Sequence, residues 1–163
     1  MSSEVSCFVP FEATLEVRDT CLCLHVQRAA RALARRFDAA LRPVGLTNGQ
    51  FSLLMALNRP APAAMGPVAR LLAIDRTTLT AALKPLERDG LVASDADPGD
   101  RRSRLLSLTG KGREVLAAAV PIWRGIHAEI EGGLPEPGPD ALRGALTTLC
   151  RSDAPPAADH LTS

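Results

Sequence analysis

Between positions 76 and 84, six residues, Arg76, Thr77, Thr78, Thr80, Ala81 and Lys84, occupy the faces of a helical pattern that Leu79, Leu83 and Leu86 leave free. Arginine and lysine can bond guanine edges or phosphates. Threonine hydroxyls can bond phosphate, and small methyl groups can touch a thymine methyl. Further on, Arg101, Arg102 and Arg104 follow the turn Asp97-Pro98-Gly99-Asp100. Arginines on a narrow hairpin suit the minor groove, where the potential is most negative. A polar helix face followed by an arginine-tipped hairpin is the chemistry of double-stranded DNA recognition. The plainer alternative is a capped surface helix and a solvated hairpin whose charge Asp95, Asp97 and Asp100 partly neutralise.

A second group is Cys21-Leu22-Cys23-Leu24-His25. On a helix Cys21 and His25 share a face, whereas Cys23 points about 200° away from Cys21, so the three cannot bind one ion. A thiolate at a helix start near Arg28 would be stabilised and reactive. The alternative is that both cysteines are small hydrophobes. No nucleophile–base spacing, phosphate-cradling glycine loop, dinucleotide fingerprint or metal motif occurs, so no catalytic residue, cofactor or metal is expected and the chain does not read as an enzyme.

These residues need elements to hold them. Leu22, Val26, Ala29, Leu33, Phe37 and Leu41 recur at helical spacing from Thr20 to Leu41, and Pro43 and Gly45 end that helix. Thr47 and Gln50 form a capping box, with Leu46 and Phe51 at staple positions, for a helix to about Asn58. Arg59 to Ala64 reads as a loop. Gly66-Pro67 opens a short helix with Val68, Leu71 and Leu72 inward. Asp75 caps the next helix, Pro85 should bend it and Gly90 should end it in the left-handed conformation. Leu91-Ala93 and Leu105-Leu108 read as strands. Thr109 caps a long helix to about Glu131, kinked at Pro121, and Asp140 to Cys150 is a last short helix. Residues 1–19 read as an extended or loosely structured arm and the tail from Ser152 as disordered.

Hydrophobic residues make up 46% of the chain and aromatics 3%, so the core must be aliphatic. The formal net charge is +1. Global charge does not announce a nucleic acid, and the case rests on where the arginines lie. Four scattered cysteines do not make a disulfide scaffold. There is no apolar run of membrane-spanning length and no signal-peptide pattern, which predicts a cytoplasmic protein.

Four stretches resemble the multiple antibiotic resistance regulator (MarR) family of winged-helix transcription factors. They are Asp75-Arg76-Thr77-Thr78-Leu79-Thr80, Leu86-Glu87-Arg88-Asp89-Gly90-Leu91-Val92, Asp97-Pro98-Gly99-Asp100-Arg101-Arg102 and Leu106-Ser107-Leu108-Thr109-Gly110-Lys111-Gly112. The chain departs from the family at Ala93-Ser94-Asp95-Ala96, where basic residues are common, and at Pro85. The resemblance implies a mainly α fold with a small β-wing: a winged helix-turn-helix (residues 45–109) plus N- and C-terminal dimerisation helices (20–44 and 110–150), an arm (1–19) and a flexible tail (151–163). It implies a homodimer on a near-palindromic operator, acting as a regulator, most often a repressor, and a small-molecule or redox signal. An effector pocket in such a dimer would draw on His25, Phe51 and Trp123, each of which also reads as core. Cys21 and Cys23 resemble the hydroperoxide-sensing branch of the family, although this chain lacks the tyrosines that support its reactive sulfur. The competing function is a winged-helix protein-interaction module without direct DNA readout.

Overall fold

The structure, a computed structural model, describes residues 8–100 and 103–151. The chain divides into two compact units, residues 1–123 and 124–163.

In the first unit, α1 (Phe11–Thr20) is followed by α2 (Leu22–Leu41), α3 (Asn48–Leu57), the short strand β1 (Ala63–Ala64), α4 (Met65–Leu71), α5 (Arg76–Arg88), β2 (Val92–Ala96), β3 (Arg104–Leu108) and the start of α6 (Gly110–Gly132). The core is aliphatic, as composition requires. Leu41, Leu53, Leu54, Leu57, Leu79, Leu86, Leu106 and Val68 are its largest fully buried side chains, and among the described residues no polar or charged residue is buried. Leu79, Leu83 and Leu86 are all buried, so the face of α5 that carries Arg76, Thr77, Ala81 and Lys84 is turned outward.

The local signals for the helix ends act as the sequence predicts. The Gln50 amide donates to Thr47 Oγ1 at 3.2 Å while the Thr47 amide donates to Gln50 Oε1 at 2.9 Å, closing the capping box. The Asn48 amide also donates to Asp38 Oδ1 at 2.6 Å, tying α3 to α2. Gly90 has φ +71°, and the amides of Gly90 and Leu91 donate back to the carbonyls of Glu87 and Leu86. That pair of bonds satisfies the last free carbonyls of α5.

Several expectations need correction. Residues Phe11–Thr20 are helical rather than extended, although none of them is buried. The first seven residues and the tail expected from Ser152 lie outside the described residues. The sheet among the described residues has three antiparallel strands in the order β1-β3-β2 rather than two, with Ala63 opposite Leu106 and Val92 opposite Leu108. β1 arises because the small Ala63 side chain can be buried against β3, a contact with no local sequence signal. Leu71 is 65% exposed, not inward. Val68, Ala69 and half-buried Leu72 fill the core stripe of α4, and Leu71 falls beside it. Pro85 and Pro121 lie inside α5 and α6, where the sequence places them.

In the second unit, α7 (Gly138–Arg151) follows the end of α6. Arg143 of α7 donates to Glu131 and to Asp140, and this pair of carboxylates raises the guanidinium's pKa further. No helix among the described residues is long and apolar enough to cross a membrane.

Candidate nucleic-acid interface

The turn between α4 and α5 is tight because Ala73 adopts φ +52°. The Ala73 amide donates to the Arg70 carbonyl at 3.2 Å and the Ile74 amide to Ala69 at 3.0 Å, the same two-bond ending that Gly90 gives α5. Glycine is the usual residue here, since a β-carbon resists positive φ. Asp75 then caps α5. Its Oδ1 accepts from the Thr78 amide at 2.8 Å and its Oδ2 from the Thr78 hydroxyl at 2.8 Å. These two bonds, the backbone one first, hold the Asp75 carboxyl below the usual carboxylate range.

The capping changes what the threonines offer. The Thr78 hydroxyl proton is committed to Asp75, and the Thr80 hydroxyl donates to the Arg76 carbonyl at 2.8 Å. Both present lone pairs outward, and each would have to rotate its hydroxyl to donate to a phosphate. Thr77, Ala81 and Lys84 are exposed on the free face.

The wing is β2 and β3. At its tip Asp97 Oδ1 accepts from the Gly99 amide at 2.8 Å, and the Asp97 amide donates to the Ser103 carbonyl at 3.0 Å. Side-chain capture of the turn backbone is what Asp supplies in such loops. Arg101 and Arg102 lie outside the described residues. Arg104 does not extend to the tip. Its guanidinium donates to the Ser94 carbonyl at 3.0 Å and lies 4.0 Å from the Glu87 carboxylate of α5. With Met65, Thr80, Leu83 and Lys84, these residues line a notch of about 150 Å³ between α5 and the wing. Arg104 therefore ties the hairpin to the helix.

Sequence reading missed Arg70. Its Nη1 and the Nη2 of Arg76 lie 3.7 and 3.5 Å from the point where a β-carbon on Gly66 would sit. The signal was the Gly66-x-x-x-Arg70 spacing, one helical turn, which puts both on one face of α4.

The remaining predicted residues do not gather in one place. Phe51 and Trp123 stack with ring centroids 6.2 Å apart, as part of the core and its margin. His25 is exposed on α2, its Nδ1 2.9 Å from the Cys21 carbonyl. It lines an open concavity of about 610 Å³ with Arg28, Arg31 and Arg35. Cys21 precedes α2 and is half-buried, whereas Cys23 is exposed and its sulfur accepts from Gln27 Nε2 at 3.1 Å.

The MarR family model matches residues 46–103. Transcriptional activatory protein BadR of Rhodopseudomonas palustris is 37% identical over 115 residues, 68% of this chain and 66% of BadR. The HTH-type transcriptional repressor NicR of Pseudomonas putida is 34% identical over 89 residues, 55% of this chain and 56% of NicR. The chain thus spans less than two thirds of the length of these two relatives. The crystal structure of the M. tuberculosis transcriptional regulator MosR in complex with DNA is similar to this fold with a TM-score of 0.75 and 39% identity, covering 81% of this chain and 95% of that one. The winged helix-turn-helix built by α4, α5, β2 and β3, and the matches that run across it, make this chain a member of the MarR family.

Proposed function

We propose that this protein is a dimeric, sequence-specific DNA-binding transcriptional regulator and not an enzyme. The observation that carries the reading is α5: its apolar face is fully buried, and its opposite face presents Arg76, Thr77, Ala81 and Lys84 beside a β-hairpin. That arrangement fits α5 in the major groove and the wing, with Arg101 and Arg102, against the flanking minor groove. The DNA-bound form of MosR supports it.

The dimer rests on exposed apolar side chains. Phe11 and Val17 of α1, Leu22, Val26 and Leu33 of α2, and Leu142 and Leu146 of α7 are all exposed in the single chain. Stripes of this kind mark surfaces that another molecule covers. Two copies related by a twofold axis require a near-palindromic operator with half-sites about one helical turn apart. Occupancy of a promoter suffices for repression, which is the direction proposed, in the cytoplasm. The operator's placement relative to the promoter decides it, and BadR and NicR are named for opposite outcomes. The signal that releases DNA is proposed to be a small molecule or oxidation at Cys21 or Cys23.

Selection on random duplexes, repeated with peroxide and with dithiothreitol, tests the whole reading. A near-palindromic site should emerge. Arg102→Ala should weaken binding to it and flatten the salt slope by about one. Unchanged affinity would remove the wing assignment. Release by peroxide that persists in a Cys21→Ser, Cys23→Ser variant would remove these thiols as sensors.

A further inference from the structure

Arg70 and Arg76 come from different helices, yet their guanidinium groups converge over one backbone position. Arg70 lies one turn beyond Gly66 on α4, and Arg76 opens α5 on the far side of the Ala73 turn. Their terminal nitrogens stand 3.7 and 3.5 Å from the place a Gly66 side chain would occupy. Both residues are exposed, and neither guanidinium makes a hydrogen bond or ion pair with any described residue. Arg18, Arg88, Arg104 and Arg143 each have a carboxylate beside them, whereas Arg70 and Arg76 have none and converge from two helices on one point. Like charges held close together repel, and an anion bridging them would remove the repulsion and accept from both forks.

We propose that Arg70 and Arg76 form a two-arginine clamp over Gly66 that grips a single phosphate of the DNA backbone. The inference rests on the DNA-binding reading and adds to it a contact from the first helix of the helix-turn-helix. Gly66 leaves the gap open. The turn at Ala73 sets the spacing of the two forks, because it fixes where α5 begins relative to α4. A phosphate contact carries no base information but fixes the register of α5 in its groove. Arg70 is then a positioning residue for sequence readout, and Arg76 is held toward the backbone rather than toward a base edge.

The test is duplex binding by the full chain across a salt series, using the selected site and an unrelated duplex. Arg70→Ala should weaken both about tenfold, since a hydrogen bond to a charged group is lost. The Arg70→Ala, Arg76→Ala double variant should flatten the salt slope by about one rather than two, because both arginines serve one phosphate. Gly66→Asp, which supplies a carboxylate in place, should weaken binding as much as Arg70→Ala does while leaving the far-ultraviolet circular dichroism unchanged. Wild-type binding that Arg70→Ala leaves intact overturns the clamp alone. A wild type that binds no duplex at any salt overturns the DNA reading, and the clamp with it. Inorganic phosphate, titrated without DNA and followed at the Arg70 Nε–H signal, separates the remaining source. A phosphate-induced shift in the wild type, with duplex affinity untouched in Arg70→Ala, would assign the clamp to a free anion and overturn its role on DNA.

Discussion

The Cα of Gly112, in the first turn of α6, lies so close to the Leu91 carbonyl oxygen that a β-carbon built there would approach it to 2.0 Å. The same corner is stitched by Thr109. Its amide donates to Leu91 O at 3.1 Å, and its hydroxyl donates to Gly90 O at 2.7 Å and accepts from the Gly112 amide at 2.9 Å. The Lys111 ammonium donates to the Asp89 carbonyl at 2.9 Å. The Leu-Thr-Gly-Lys-Gly stretch after β3 is therefore a joint. It fixes the end of α5 and the start of β2 against α6.

Gly112→Ala is expected to lower stability by about 1–3 kcal/mol, the usual cost of forcing an extra carbon into a filled site. Backbone, not a flexible side chain, is what the new methyl meets. Gly110→Ala, two residues earlier in the same helix, meets nothing within 4 Å and should be neutral or stabilising, since alanine is the better helix former. Urea midpoints of the two variants check this. Equal shifts in one direction would mean that the joint yields.

Ala73→Gly should stabilise the protein. A left-handed alanine costs roughly 1–2 kcal/mol, and the greater freedom of glycine in the unfolded chain returns roughly 0.4–1 kcal/mol of that. The net gain is about 0.5–1 kcal/mol, or roughly 1–4 °C in Tm for a chain of this size. Thermal unfolding of the single variant measures it. A lower Tm would mean that the alanine methyl makes contacts worth more than the strain.

How much of this was legible in the sequence follows from the range of each interaction. The caps at Thr47, Asp75 and Thr109 and the glycine stop at Gly90 are satisfied by partners within a few residues, and local spacing shows them. The burial of Leu79, Leu83 and Leu86 follows from helical period alone. β1 was invisible because two alanines carry no alternation and pair with Leu105 and Leu106, far along the chain. α1 was missed because Phe11, Leu15 and Val17 make too short an apolar pattern to mark a helix and no residue of that helix is buried. At the candidate interface, residue types on α5 were readable, but side-chain direction was not. Whether Arg104 reaches outward or folds back to Ser94 and Glu87 depends on how the hairpin packs on α5. The convergence of Arg70 with Arg76 depends on the Ala73 turn.

The Asp75 cap makes the start of α5 sensitive to acid. Because the folded-state pKa is lowered by the Thr78 bonds, the unfolded carboxyl protonates first as pH falls. The stabilisation is thus complete above the ordinary carboxylate value of about 4 and is lost as pH drops through the lower folded value. Asp75→Asn keeps an acceptor for the Thr78 amide but has no charge to titrate. The variant should be less stable than the wild type at neutral pH, by a few degrees in Tm, and the gap should close toward pH 3. A gap that stays constant down to that pH would remove the charge from the account.

Glu87 sets what Arg104 can do. Arg104 is exposed, Glu87 is half-buried and the two are 4.0 Å apart, so the pair should contribute at most about 1 kcal/mol to stability. Glu87→Gln should therefore leave the urea midpoint nearly unchanged. On duplex DNA its effect should be larger and of opposite sign. The substitution removes a carboxylate from the notch between α5 and the wing, and it frees the Arg104 guanidinium to reach a phosphate. Affinity is expected to rise a few-fold and the salt dependence to steepen, because one more cation displaces counterions. Arg104→Ala in the same background should cancel that gain. If Glu87→Gln instead weakened binding, Arg104 would have to act folded against α5, with Glu87 holding the wing at the angle the groove requires.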